Sequence, residues 1–322
     1  MTSGAGAQTK TGTTVGQFLL IEPSARYAGM GNAGVASSDE IGACYYNPGA
    51  LGALTGYGLQ VTHSSWLADI SYDYVAALVG AGQIGNLLFA VTSLQSGEID
   101  VRTVEQPLGT GERYTVSDIA LGVGYGRQVT DRFSLGIQVS YVQETIWHSS
   151  LATVAINVGT LYRLTPSGLR LGASISNFGL AARYQGRDLR IQYDNDPRRY
   201  GDNSSLPGEI YTEKFPLPVL FRVGLSWPFR LSDRHQLCAA VTAFHPSDNT
   251  ESLSLGMEWR AFGAVALRAG YQNLFLQDSE VGLTLGAGAR VAFGDGQLQI
   301  DYAWADHGRL QSTQRFSLGF IF

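Results

Sequence analysis

From Tyr57 onward the chain repeats one pattern, an apolar side chain followed by a small or polar one, over segments of strand length. Successive side chains on a strand point to opposite faces, so each such segment has one greasy and one polar side. Ile119, Leu121, Val123 and Tyr125 alternate with Asp118, Ala120, Gly122 and Gly124; Leu298, Ile300, Tyr302 and Trp304 alternate with Gln299, Asp301 and Ala303. The last residues behave the same way, with Phe316, Leu318, Phe320 and Phe322 opposing Arg315, Ser317, Gly319 and Ile321. An apolar strand at the chain end is an aggregation hazard as a free edge, and closing it onto the first strand of a barrel removes the edge. The pattern predicts strands at 57–66, 69–80, 84–94, 116–128, 132–147, 150–163, 168–177, 218–229, 235–244, 251–260, 264–275, 281–293, 297–306 and 313–322. The expected fold is therefore all-β: a fourteen-stranded antiparallel transmembrane β-barrel over 57–322, with residues 1–56 forming an N-terminal tail and a plug.

The connections give an independent check. The two long ones, 95–115 and 178–217, both follow odd-numbered strands and so fall at one end. Short turns such as Val129-Thr130-Asp131 and Gly294-Asp295-Gly296 fall at the other. Outer-membrane barrels have short periplasmic turns and long extracellular loops. This parity places both termini on the periplasmic side of a bacterial outer membrane.

Composition fits the pattern. Of 322 residues 44% are hydrophobic but only 15% charged, below the roughly 25% of soluble domains, and there are 40 glycines, 16 tyrosines and 14 phenylalanines. Mean hydropathy is close to zero, and no apolar run reaches the length of a membrane helix. A net charge of −5 argues against a nucleic-acid partner. Cys44 and Cys238 read as unpaired small hydrophobes or one long-range bridge, not as a zinc site. Ala5-Gly6-Ala7 has the small-x-small pattern of a signal-peptidase site, or is part of a flexible glycine-rich tail.

Residues 24–51 break the alternation. The run Ala25-Arg26-Tyr27-Ala28-Gly29-Met30-Gly31-Asn32-Ala33-Gly34-Val35-Ala36 and the later Tyr45-Tyr46-Asn47-Pro48-Gly49-Ala50-Leu51 are rich in small residues that allow close backbone packing. They are expected inside the periplasmic half of the lumen. Gly29, Gly31 and Gly34 spell G-x-G-x-x-G, but a Pro-Ser turn precedes them and antiparallel-type strands follow, so plug packing is preferred to dinucleotide binding.

No catalytic cluster emerges. The histidines His63, His148, His235, His245 and His307 lack metal-ligand spacing, and in His63-Ser64-Ser65 and His148-Ser149-Ser150 neighbouring side chains diverge. No enzyme activity and no cofactor are expected. Asp118, Arg170, Arg222, Glu258, Arg260, Arg268, Arg290 and Asp301 all fall on the polar face, and the preferred reading is a paired network that fills the lumen and grips the plug. The long loops carry Arg102, Arg113, Tyr114, Tyr184, Arg187, Tyr193, Arg198, Arg199 and Tyr200, residue types that anchor protein interfaces. A lid over the lumen is the alternative reading of these loops.

The run from Ala25 to Ala36, with Tyr45-Tyr46-Asn47-Pro48-Gly49-Ala50-Leu51, resembles the N-terminal signature of the PorV/PorQ family, a branch of the FadL-like fourteen-stranded outer-membrane barrels. Asn47-Pro48 is similar to the Asn-Pro-Ala motif of FadL-type hatch segments, with Gly49 in place of alanine. The aromatic ending resembles the C-terminal signal by which outer-membrane barrels are recognised. The resemblance implies a role in type IX secretion, with a large translocon barrel and the C-terminal domains of secreted cargo as partners, in contact with outer-membrane lipid. FadL relatives instead pass hydrophobic small molecules, which is the alternative function. On this reading the hatch motif comprises Arg26, Tyr27, Gly29, Met30, Gly31, Asn32, Gly34, Asn47 and Pro48.

Overall fold

The computed structural model describes residues 12–194, 196, 198–199, 205–276 and 279–322. Ala5-Gly6-Ala7 and Tyr200 lie outside them. Fourteen strands form one closed antiparallel barrel: β1 (Tyr57–Ser65), β2 (Ser71–Gly80), β3 (Asn86–Gln95), β4 (Val116–Thr130), β5 (Phe133–Ile146), β6 (Ser149–Arg163), β7 (Arg170–Gly179), β8 (Leu220–Arg230), β9 (His235–Pro246), β10 (Ser252–Ala261), β11 (Val265–Leu274), β12 (Leu283–Phe293), β13 (Gly296–Asp306) and β14 (Ser312–Ile321). Each pairs with its sequence neighbours, and β14 returns to β1 in register from Gly58↔Ile321 to Ser65↔Gln314. Reciprocal backbone hydrogen bonds between Tyr57 and Phe322 at 2.8 and 2.9 Å finish the seam.

The alternation is realised as inside against outside. Along β4 Asp118, Ala120, Gly122, Gly124 and Gly126 are buried, while Leu121, Val123 and Tyr125 are exposed. Leu135, Ile137, Val139 and Tyr141 continue this apolar outer band on β5. At the short-turn end the band is rimmed by aromatic contacts: Trp227 with Phe229 (4.2 Å between ring centroids), His235 with Trp259 (5.7 Å) and Tyr57 with Phe322 (5.9 Å). Such rings sit where hydrocarbon meets headgroups. The turns at this end are tight. Between β10 and β11, Phe262 and Gly263 both take positive φ (56° and 67°), the geometry of a primed turn whose twist matches the strands it joins.

The alternation changes phase on β7. Ser176 and Asn177 both face inward, because Asn177 adopts a left-handed φ of 61° and the β6–β7 register shifts beside Val158. The Asn157 side chain accepts from the Asn177 backbone N–H at 2.7 Å, and Asn177 donates to the Pro218 carbonyl at 3.2 Å. Asparagine tolerates this conformation better than a branched residue.

Residues 12–56 run inside the barrel, and the molecule's buried core is there. At the long-loop end Thr14 and Gln17 each donate to Asp248 at 2.7 Å, and the Val15 N–H donates to the Pro216 carbonyl at 3.0 Å. At the short-turn end Asn86 donates to the carbonyls of Leu51 and Leu54, each at 2.7 Å. One correction to the sequence reading follows. The inner segment fills the long-loop half of the lumen as well, through residues 14–22, with Thr14 held by Asp248 at that end. Phe322 is at the short-turn end beside Tyr57, and the first eleven residues lie outside the described ones.

A charge at mid-band should disrupt this arrangement. Leu121→Arg is expected to cost about 2–4 kcal/mol of stability in bilayers, measured by denaturant titration in lipid vesicles and by loss of heat-modifiable mobility. Substitution at Gln143, a half-buried position near the long-loop end of β5, should be far milder.

Candidate functional site

The inner segment is held by short local structures. Ser24 caps a one-turn helix, α1 (Ala25–Ala28), by accepting from the Tyr27 N–H at 3.2 Å. The chain then coils through Gly31 (φ 64°) and Asn32 (φ 59°). The Gly31 N–H donates to Thr284 at 2.9 Å, and Asn32 both donates to Gln272 at 3.2 Å and accepts from the Tyr46 hydroxyl at 3.1 Å. Gly29 lies against the backbone of Gly286, where a Cβ would come within 2.9 Å of the Gly286 Cα. Gly34 lies under the rings of Tyr27 and Tyr46, which meet edge-on at 5.1 Å, and buried Met30 packs on the backbone of β10 and β11. The three glycines thus seat the segment on the wall and on its own aromatic rings.

Asn47 and Pro48 form a second anchor. A second one-turn helix, α2 (Ala43–Tyr46), ends at Asn47. The Asn47 amide donates to the carbonyls of Val35 (2.7 Å) and Thr160 (2.8 Å), and its Oδ1 accepts from the Gly49 N–H at 2.9 Å. Pro48 opens a 3₁₀ turn with its missing N–H at a position that needs none. This turn presses on the wall so closely that a Cβ on Gly136 would fall 1.9 Å from the Pro48 carbonyl oxygen.

The inward charges divide into three groups. In the first, Glu258 accepts from Arg26 (2.8 Å to each oxygen), Arg268 (2.7 Å) and Arg260 (2.7 Å), and Arg268 also meets Asp301 at 2.7 Å. Arg26 reaches Asp39 at 3.0 Å, which pairs in turn with Arg170 at 3.1 Å. Arg290 joins from the side through Gln299 at 2.9 Å, and Gln299 donates to Glu40 at 3.2 Å. In the second, Arg222 pairs with Glu22 at 2.9 Å and donates to Ser176 at 2.9 Å. In the third, Asp118 stands apart from the arginines, opposite Glu144. Glu144 accepts from the Gly16 N–H at 2.7 Å and the Tyr184 hydroxyl at 3.0 Å. Burial, together with the Glu144 carboxylate, raises the Tyr184 phenol above its ordinary range, so it stays a donor.

Sequence reasoning missed the partners from the inner segment: Glu22, Asp39, Glu40 and the tie to Gly16. The available signal was charge balance, since the predicted inward set held five arginines against three carboxylates, and buried cations require partners.

The long loops are built differently at root and tip. Loop 180–219 first adds Gln185–Gly186 to the edge of β6, and its return passes inward, where buried Leu217 packs on Gly16. Beyond that root, Arg190–Tyr193 pairs with Leu206–Glu209 as a separate ribbon carrying exposed Tyr193. Arg198 and Arg199 are exposed between these strands. Arg187 contacts His148, Arg113 pairs with Glu98 at 2.6 Å, Arg102 approaches Asp100 at 4.0 Å, and the Tyr114 ring lies 6.0 Å from Trp147. Tyr184 and Arg187 are thus tied down at the root, and Tyr193, Arg198 and Arg199 are presented outward. Cys44 and Cys238 are both free thiols.

Two variants test the packing of the inner segment. Glu258→Gln removes the carboxylate shared by three arginines and is expected to cost about 3–5 kcal/mol, read as a lowered denaturation midpoint. Gly136→Ala should unseat the Asn47-Pro48 turn and raise single-channel conductance in planar bilayers. Gly319→Ala, where a Cβ meets nothing nearer than 3.9 Å, should leave conductance unchanged.

Solved structures share the architecture. The Pseudomonas putida toluene transporter TodX aligns with a TM-score of 0.56 at 14% identity, covering 92% of this chain and 96% of its own. The Ralstonia pickettii toluene transporter TbuX gives 0.54 at 14% identity, with 91% and 96% covered. A Pseudomonas aeruginosa FadL homologue gives 0.54 at 13%, with 93% and 98% covered. At these identities the likeness establishes the fold. No curated protein matches the sequence. Residues 4–187 match the family described as Type IX secretion system protein PorV. This match spans more than half of the chain and includes the inner segment with β1 to β7, and the chain therefore belongs to the PorV family of outer-membrane β-barrels.

Proposed function

We propose that this barrel serves type IX secretion as a binding and shuttle component, engaging the large translocon barrel, the C-terminal domains of secreted cargo, or both, and passing cargo to the cell surface. The family match over residues 4–187 carries the proposal. In this reading the long-loop end faces outward and the short-turn end faces the periplasm, following the usual loop asymmetry of such barrels. The inner segment acts as a plug, with Arg26 and Asn47-Pro48 as its anchors. The packing of residues 14–54 supports a protein that works by binding at its surface rather than by conducting a polypeptide through its lumen. It also favours a non-enzymatic role.

Docking is assigned to the outward tips of the long loops. Tyr193, Arg198 and Arg199 sit on or beside a ribbon whose two strands pair with each other and not with the barrel sheet, and Tyr and Arg bury much area while satisfying a polar tip. Tyr184 and Arg187, tied to Glu144 and His148, support the ribbon from below and act as part of the lid.

Deletion of residues 195–204 is expected to leave barrel assembly and heat-modifiable mobility intact while abolishing cargo release to the surface, scored by cell-surface labelling of cargo. Undiminished secretion by the shortened protein would overturn the docking assignment in favour of a lid alone. Purification from native membranes should recover translocon or cargo with the barrel. Recovery of the barrel with bound hydrophobic small molecules and no protein partner would instead support transport of the FadL-like kind.

A further inference from the structure

A second feature of the lumen is independent of the plug anchors. Between residues 20–32 and a wall formed by β11, the β11–β12 loop, β13, β14 and the start of the β1–β2 turn lies a cavity of about 340 Å³. Trp66 and Leu310, on turns at the long-loop end, line one side of this space of about 340 Å³. That is about twice the roughly 150 Å³ that takes one benzene ring. Ile21, Ala28, Ala303 and Ala305 give it an apolar wall.

The polar groups lining this cavity are almost all accounted for. Asn32 and Gln272 bond to each other at 3.2 Å, and His307 and Thr313 do so at 3.0 Å. Glu22 is engaged by Arg222 at 2.9 Å. Glu280 accepts from Arg309 at 2.7 Å, which holds its carboxyl below the usual range. Arg315 is the exception among the described lining residues. It is 5% exposed, its Nε and Nη1 have no hydrogen-bond partner, and its guanidinium lies 5.7 Å from the centroid of the Trp66 ring. Both carboxylates in the cavity bond to other arginines; Glu22 lies within electrostatic reach of Arg315, yet Nε and Nη1 of Arg315 stay unbonded, so a buried cation with free donors faces a roomy, partly apolar space. Buried donors without acceptors are costly, and a guanidinium is best satisfied by an oxyanion.

We propose that this cavity is a binding site for a small organic anion, a carboxylate carried on a short apolar body, with the oxyanion on Arg315 and the body against Ala28, Ala303 and Ala305. Trp66, stacked over the guanidinium, reports occupancy.

Sodium benzoate is a suitable probe, with benzyl alcohol as its uncharged counterpart and sodium chloride as the bare anion. Titration of the purified full-length barrel in a non-ionic detergent, by calorimetry and by tryptophan emission, should give saturable benzoate binding. Benzyl alcohol and chloride should each bind about tenfold or more weakly. Trp66→Phe should abolish the emission change while calorimetric binding persists. Arg315→Gln should weaken benzoate by about tenfold or more, with heat-modifiable mobility confirming assembly. Should that variant fail to assemble, Ala303→Leu keeps Arg315, fills the cavity and should likewise lose benzoate. Absence of saturable binding to the wild-type barrel, equal affinity in a folded Arg315→Gln or Ala303→Leu variant, or chloride binding as tightly as benzoate would overturn the proposal.

Discussion

Hydrocarbon offers no water to a peptide group, so every strand in this chain must find two neighbours, and the last must find the first. The β14–β1 seam, finished by the paired hydrogen bonds of Tyr57 and Phe322, meets that requirement. Closure has a consequence for the interior. Fourteen strands enclose more space than their own inward side chains fill, and those side chains are largely Gly, Ala, Ser and Thr. The space is taken by residues 12–56, whose small residues let backbone lie on backbone at Gly29 and Gly286 and at Pro48 and Gly136.

Small residues alone give proximity without register. Register comes from charges placed so that neither wall nor inner segment is complete without the other. Glu258 on β10 needs Arg26 from the segment, Arg222 on β8 needs Glu22, and Arg170 on β7 needs Asp39. Desolvating such groups is expensive, and the pairs regain that cost only with good geometry. A displaced segment would strand several charges at once. Specific placement is the clearest benefit of this arrangement.

Much of this was legible in the sequence because a barrel wall obeys a period of two. Leu121 and Asp118 could be assigned to opposite faces from neighbours alone, and strand parity separated the long loops from the short turns. Legibility failed where the backbone leaves that period. Nothing local to Asn177 marks it as the residue that turns two consecutive side chains inward; the shift appears only once β6 and β8 flank β7. The inner segment has no period, so its small residues and Asn47-Pro48 could be recognised while the reach of Thr14 to Asp248 could not. Arg315 was placed on the polar face correctly, but whether a neighbour satisfies it is a matter of three dimensions.

The order of the chain gives the seam one more meaning. The segment that fills the lumen precedes β1 in the chain, and β1 is sealed by β14. The barrel cannot close until β14 is made, and the segment, which spans the lumen from Asp248 to Asn86, continues through Gly56 directly into β1, the strand on which closure depends. Filling and seam are thus one continuous stretch of chain, so a disturbance of the segment's seat loads the strand that closes the wall.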